Sequence, residues 1–427
     1  LVMNPPYDNL KLNISEFKSS ICENDFQEIK RRREEEINFF KKSGHYKLSN
    51  WGMLNYYRLM LERALNITSP KSRLGFIIPS TFLCDKSALK LRKEILLRYK
   101  VDGIYDFLER AKIFQDANQA VCIVLLDKSS KGETIPVASN LTDIKELYAA
   151  RPTMIPLKMI KEIFPDDLAI PKITRDEWAI LKKIHQNPSL REVPWIRIYR
   201  GEVDLTIYKD CLSKANTGYK LIRGDHITRY RLVWVPSKGE NFVSRNSFLK
   251  KLGNSEKAEH TNVIRIAGQQ VSNMMQRWRL KFCLIQPRNF LANSCNYLII
   301  TPNKGEMIDS LRLYILALLN SCLLNWRFKL TSTNNHINNY ELGALPIKLI
   351  NHQDRREAAL FNLIIKRVRE ILQEERTVDI DPQVESAIFH LYKLAPEEVK
   401  IILKSEGIDQ RSIESIMEYF FYLRGIR

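Results

Sequence analysis

Four apolar runs, Leu1–Met3, Arg73–Ile78, Val101–Phe107 and Ala120–Leu126, alternate in the first 150 residues with stretches of helical periodicity at Glu28–Lys42, Asn55–Leu65 and Lys86–Arg98. Strands that alternate with helices bury their faces as a layered α/β sheet. The pattern then changes. Short runs rich in Ile, Val, Tyr and Trp (Trp195–Tyr199, Leu232–Val235, Tyr297–Thr301), set among Gly, Asn, Ser and Pro, predict a β-rich α+β segment over 191–350. The last part reads as helices only, at Arg355–Glu375, Pro382–Leu391, Pro396–Glu406 and Arg411–Leu423, with Pro or Asp near their starts. A chain of 427 residues exceeds one ordinary core. The expected division is 1–150, a linker at 151–190, then 191–350 and 351–427.

Charge separates the same segments. Lys and Arg number 67 against 49 Asp and Glu, a net of +18. Residues 1–190 hold 31 basic and 24 acidic side chains, residues 191–350 hold 24 and 11, and residues 351–427 hold 12 and 14. The middle segment therefore concentrates the positive field, which points to an anionic partner, with nucleic acid first. Arg200, Arg223, Arg229, Arg231, Arg265, Arg277, Arg279 and Arg288 stand there among Tyr, Trp and Phe. Arginine reads guanine edges and grips phosphates bidentately. The run Lys30-Arg31-Arg32-Arg33-Glu34-Glu35-Glu36 reads instead as a solvated helix face with i,i+4 pairs.

Asn4-Pro5-Pro6-Tyr7, directly after the first apolar run, carries chemistry. Two prolines keep the backbone extended and remove two N–H donors. An acceptor-rich corner remains, formed by the Asn4 side-chain oxygen and the Pro5 carbonyl with the Tyr7 ring beside them. A planar group with an exocyclic NH2 could donate both hydrogens there while its face stacks on the ring. Such hydrogen bonds draw the amino nitrogen out of conjugation and expose its lone pair.

The order of segments resembles the amino-methyltransferases that act on adenine in DNA, in the class where a TaqI-like specificity domain follows the catalytic domain. Besides Asn4-Pro5-Pro6-Tyr7, the resemblance rests on Asn55–Leu65, on Gly75-Phe76-Ile77-Ile78-Pro79-Ser80-Thr81-Phe82-Leu83, on Leu91-Arg92-Lys93, and on Lys112-Ile113-Phe114 followed by Ala120–Leu126. In the middle segment it rests on Arg200-Gly201-Glu202-Val203-Asp204, Leu221–Tyr230, Pro287-Arg288 through Asn296-Tyr297, Leu313–Phe328, and Asn334-Asn335 before Leu345-Pro346-Ile347. It is closest to restriction–modification proteins, free or fused, of type IIG or Eco31I/Alw26I-like kind. It implies the C-terminal half of a Rossmann-like methyltransferase sheet at 1–150, a DNA target-recognition domain at 191–350 and a helical region at 351–427. Asn4, Pro5, Pro6, Tyr7 and Phe114 would then be catalytic, with Phe114 a second aromatic against a flipped adenine. Asn4 and Pro6 would contact S-adenosylmethionine, and Arg200, Arg223, Arg229, Arg231 and Arg288 would contact double-stranded DNA. A restriction endonuclease domain or subunit is a further expected partner.

The family's Gly-rich cofactor loop and ribose-binding acid precede this tetrapeptide, and neither occurs here, so a chain of this extent is expected to bind the cofactor poorly and turn over little. The rival expectation is a DNA-binding specificity module whose methyltransferase remnant is non-catalytic. No histidine pair has HxxxH or HExxH spacing, and the seven cysteines contain no CxxC, so no metal site is expected. Scattered reduced thiols point to the cytoplasm. The longest apolar run, Leu311–Leu324, is interrupted by Asn320 and Ser321 and falls short of a membrane span.

Overall fold

The computed structural model describes residues 1–11, 23–114, 119–301, 307–374 and 378–425. They form two compact units, Leu1–Trp178 and Ala179–Arg427. Mixed α/β structure, several sheets with many helices, is found as expected.

The first unit is built on β1 (Val2–Met3), β2 (Arg73–Pro79), β3 (Lys100–Phe107), β4 (Val121–Asp127), β5 (Thr134–Leu141) and β6 (Thr153–Pro156). Their order in one sheet is β1-β2-β4-β3-β5-β6. β1 runs parallel to β2, with Val2 opposite Gly75 and Met3 opposite Phe76. β4 inserts antiparallel between β2 and β3. One face of the central strands is fully buried, as Leu74, Phe76, Ile78, Ile104, Val124 and Leu126 show, while on the other face Ile77 and Ile123 are half-buried and Leu125 is exposed. β1 is an edge strand, with Val2 85% exposed.

Helix Tyr56–Ile67 lays Leu59, Leu61, Ala64 and Leu65 into the core and is capped by Asn55, whose side chain accepts from the Tyr57 N–H. The charged helix Glu23–Lys42 keeps its Lys30–Glu36 run on the surface, with Arg32 on Glu28 at 2.7 Å and Arg33 on Glu36 at 3.0 Å. Residues 151–190, expected as a linker, are structured. They supply β6 and the helices Leu157–Ile163 and Arg175–Ile184, and bury Ile155, Leu157, Ile160, Ile163, Phe164 and Ile170. Prolines and scattered charges conceal a core contribution made by short elements.

In the second unit, β7 (Ile196–Arg200), β8 (Leu212–Ser213), β9 (Lys220–Ile222), β10 (Phe242–Val243), β11 (Arg265–Gln269), β12 (Phe282–Ile285), β13 (Asn289–Leu291) and β14 (Cys295–Ile300) make two four-stranded sheets, ordered β12-β11-β14-β7 and β13-β9-β10-β8. Leu232–Val235, expected as a strand, makes only the bridge Ile227–Leu232. Its apolar character serves side-chain packing, since Leu232 and Trp234 lie against a core of Ile222, Ile227, Ile285 and Tyr297. The run Leu311–Leu324 is a bent pair, Ile308–Leu319 and Cys322–Lys329, meeting at 53°. Ser321 at the break caps the second helix through the Leu324 N–H. Among the described residues no single helix is long and apolar enough to cross a membrane.

The C-terminal helices, Arg355–Gln373, Pro382–Leu391, Pro396–Ser405 and Gln410–Arg424, start at the capping carboxylates Asp354, Asp381 and Asp409 or at a proline. Glu375, expected to end the first, lies outside the described residues. Polar contacts bind them to the rest of the unit: Glu385 accepts from the Cys322 N–H at 3.0 Å, and the Tyr392 hydroxyl donates to the Pro346 carbonyl at 2.7 Å. Six cysteines are free, five of them buried; Cys22 lies outside the described residues.

Candidate active site and the arginines of the second unit

Asn4, Pro5, Pro6 and Tyr7 follow β1 at its carboxyl end, where open α/β sheets bind ligands. Pro5 is buried, Asn4 and Pro6 are exposed, and Tyr7 is half-buried. The corner is fixed from behind. Asn55, at the head of its helix, donates through Nδ2 to the Tyr7 carbonyl at 2.7 Å and to Asn9 Oδ1 at 3.0 Å. The Tyr56 N–H reaches the Asp8 carbonyl at 3.1 Å, and the Leu10 N–H reaches the Leu54 carbonyl at 2.9 Å. One asparagine thus caps a helix and staples the site's backbone. Its position before a helical run signals the cap; nothing local signals the staple.

The Tyr7 hydroxyl lies 2.9 Å from Asn4 Oδ1 and 3.1 Å from the Ile77 carbonyl. Burial pushes this phenol up to about 12, with Cys122 adding to the effect, so it stays protonated and donates. One proton faces two acceptors. The hydroxyl can orient the Asn4 side chain and still turn to Ile77 when another donor arrives. Phe114 lies against Tyr7 edge-on, with ring centroids 6.4 Å apart at 67°. Both rings pack on Phe107, Val121 and Leu141. The chain reaches Phe114 through Lys112, held at φ 43°, after the turn Glu109–Ala111. The tetrapeptide and Phe114, far apart in sequence, are thus brought together.

The ring and the hydroxyl of Tyr7 make separable contributions. Tyr7→Phe keeps the ring and removes one hydrogen bond, so turnover of an amino substrate held here should fall roughly five- to tenfold. Tyr7→Ala should cost far more, because a stacked ring contributes about 1–3 kcal/mol per base. Single-turnover rates of the two variants check this; equal losses would remove stacking as the role of Tyr7.

The sheet also carries a polar cluster that sequence reasoning missed. Asp106 on β3 is fully buried, accepts from the Ser80 hydroxyl and pairs with Lys172 Nζ at 3.1 Å. Burial raises its carboxyl above the usual range, while Lys172 and the Ser80 bond oppose this. It anchors the turn that follows β2. An Asp set between Tyr105 and Phe107 in an apolar strand is the signal that could have found it.

The five arginines expected on DNA fall into different places. Arg200 and Arg288 are exposed. Arg200 Nε donates to the Asn293 carbonyl at 2.9 Å, and Arg288 sits at φ 63° in the turn between β12 and β13. Arg223 and Arg231 are half-buried; Arg223 Nη2 donates to the Glu240 carbonyl at 2.6 Å, while its buried Nη1 has no hydrogen-bond partner among the described residues. Arg229 is a core residue, 4% exposed. Its guanidinium stacks 3.7 Å from the Trp278 ring centre, donates to the Asn320 carbonyl and lies 3.7 Å from the Glu385 carboxylate. Arg265 and Arg279 are buried as well, Arg265 on Glu202 at 2.9 Å. In each case a distant carboxylate or carbonyl pairs with or accepts from an arginine that looks like a surface residue in sequence. No group of three or more metal-ligating side chains occurs among the described residues.

A search of curated proteins returns no match. Among solved structures, the chain is similar to the type IIG restriction endonuclease BpuSI at 12% identity, with a TM-score of 0.37 and 99% of this chain covered. It is similar to the type IIL restriction–modification enzyme MmeI, solved with DNA, at 10% identity, 0.43 and 99%. It is also similar to LlaBIII, an ATP-dependent type ISP restriction–modification enzyme bound to DNA, at 11% identity, 0.40 and 87%. The chain spans 54%, 57% and 29% of the lengths of those three proteins. Residues 1–114, the stretch that runs from β1 and the Asn4 corner to Phe114, match the family described as Eco57I restriction-modification methylase.

Proposed function

We propose that this chain carries the base-binding half of an adenine-N6 DNA methyltransferase together with its DNA-reading unit, as part of a restriction–modification system. The observation that supports this best is the corner itself: Asn4 Oδ1 and the Pro5 carbonyl at a strand's carboxyl end, beside a neutral Tyr7 and the facing Phe114. An adenine flipped from the duplex, at a cost of a few kcal/mol, would donate its amino hydrogens to those two oxygens. The Tyr7 hydroxyl would then turn to Ile77, and the nitrogen lone pair would face the open rim where Asn4 and Pro6 are exposed. S-adenosylmethionine supplies the methyl group in this chemistry. Asn4 and Pro6 fit as its neighbours because both lie on that rim. Orientation and charge placement, rather than an acid–base pair, carry the rate.

The test is transfer of labelled methyl from S-adenosylmethionine to duplex DNA by the protein that contains this chain, followed by digestion to nucleosides. Label in N6-methyldeoxyadenosine supports the proposal; label in 5-methyldeoxycytidine or in protein contradicts it.

The charge map makes a separate prediction for DNA binding. The logarithm of duplex affinity should fall steeply with the logarithm of salt, by about 0.9 for each phosphate neutralised. Arg200→Ala and Arg288→Ala should each flatten the slope by roughly one unit if phosphate-bound, or change the preferred sequence if base-reading. Fluorescence titration at several salt concentrations checks this, and a slope near zero in the wild type would contradict DNA binding.

A further inference from the structure

The loop between β11 and β12 displays apolar side chains to solvent on a rigid frame. Met275 is 92% exposed, Val271 48% and Met274 43%. Single exposed apolar residues are ordinary; three on one short loop are not. The frame is tight. The Met274 N–H donates to Asn335 Oδ1 at 3.0 Å, and the Met275 N–H donates to Asn273 Oδ1 at 2.8 Å. Val271 bridges to His336, and the Ser272 N–H donates to the Asn335 carbonyl at 2.9 Å. Beyond the tip the chain is buried again at Trp278 and Leu280, where Asn325 Oδ1 accepts from the Arg279 and Leu280 N–H groups.

The rim of this tip is made of amides and cations. Gln276 Oε1 accepts from Lys281 Nζ at 2.6 Å, and Asn334, Asn335 and His336 are exposed alongside. From Arg265 to Gly305 the sequence has no Asp or Glu and has six basic residues. The carboxylate that the loop does meet, Asp379, is held by Arg277 at 3.2 Å and by the Trp278 indole at 2.5 Å. An apolar tip within a hydrogen-bonding rim, its contacting carboxylate Asp379 already paired with Arg277, suits the base stack of a nucleic acid, with phosphates and base edges around it. Apolar side chains, Met among them, enter base steps in this way, and the unbranched thioether adapts to the gap.

We infer that Val271–Gln276 is a wedge that enters the stack of duplex DNA with Met275 at its tip, an inference that rests on the DNA-reading role proposed above. The test uses this chain, a labelled duplex and the same duplex with one central abasic site, where most of the unstacking cost is gone. The wild type should bind the abasic duplex about tenfold more tightly. Met275→Ala should reduce that preference to within about twofold, and Met275→Leu should retain it. Thermal unfolding of both variants should match the wild type, since the side chain is exposed. Met275→Ala with the full preference, or a wild type with none, would overturn the wedge and leave the DNA-reading role standing. Binding to neither duplex would overturn both.

Discussion

Asn4→Ala should abolish methyl transfer, by at least about 100-fold, while duplex affinity changes no more than a few-fold. The magnitude follows from what Asn4 Oδ1 offers: a fixed acceptor for an amino group whose nitrogen becomes a nucleophile. Removing one preoriented polar group at a reacting centre costs about 10²–10³ in rate. The substitution is mild for the fold. Asn4 is exposed and its recorded partner is Tyr7, whose hydroxyl keeps the Ile77 carbonyl at 3.1 Å. Most DNA affinity is assigned elsewhere, to the segment with 24 basic and 11 acidic residues. Single-turnover transfer of labelled methyl measures the first effect and duplex titration the second. A variant that kept its rate would remove Asn4 from the chemistry.

Arg229→Ala should destabilise the second unit by about 3–5 kcal/mol, which removing one partner of a buried ion pair costs, and should lower its melting temperature by roughly 10 °C. The variant leaves Glu385 fully buried, with the one Cys322 N–H shared between its two oxygens and no cation at 3.7 Å. Denaturant unfolding checks the size of the effect; a loss below about 1 kcal/mol would place Arg229 among surface residues after all. Glu385 adds a pH dependence. Burial pushes its carboxyl from 4.5 up to about 7, against the opposing pull of Arg229 and the Cys322 donors, with Asp381 raising it further. The native state therefore binds more protons than the unfolded chain between those values, and stability falls as pH rises from about 4.5 through 7. Glu385→Gln should flatten that part of the curve.

Long periodic elements are legible in the sequence alone. The strands ending at Met3, Ile78, Phe107 and Leu126 and the four C-terminal helices are found within a few residues of their expected bounds, because apolar period and capping residues act locally. Pairing does not. Nothing near Arg229 or Arg265 announces Glu385 or Glu202, which neutralise them from 156 and 63 positions away. The 151–190 stretch is obscured for a related reason. Its elements are short, and only tertiary packing gives their apolar residues a face. Within the site, Asn4 and Tyr7 are neighbours by sequence, whereas Asn55 takes its second role through a contact 48 residues back.

The most direct check on the central claim is to express the protein that contains this chain in bacteria lacking their own DNA methylation and to sequence the modified bases of the genome. The account predicts N6-methyladenine at one recurring short sequence, lost with Asn4→Ala and retained at reduced occupancy with Tyr7→Phe. Methylation on cytosine, or adenine methylation that survives Asn4→Ala, would contradict it.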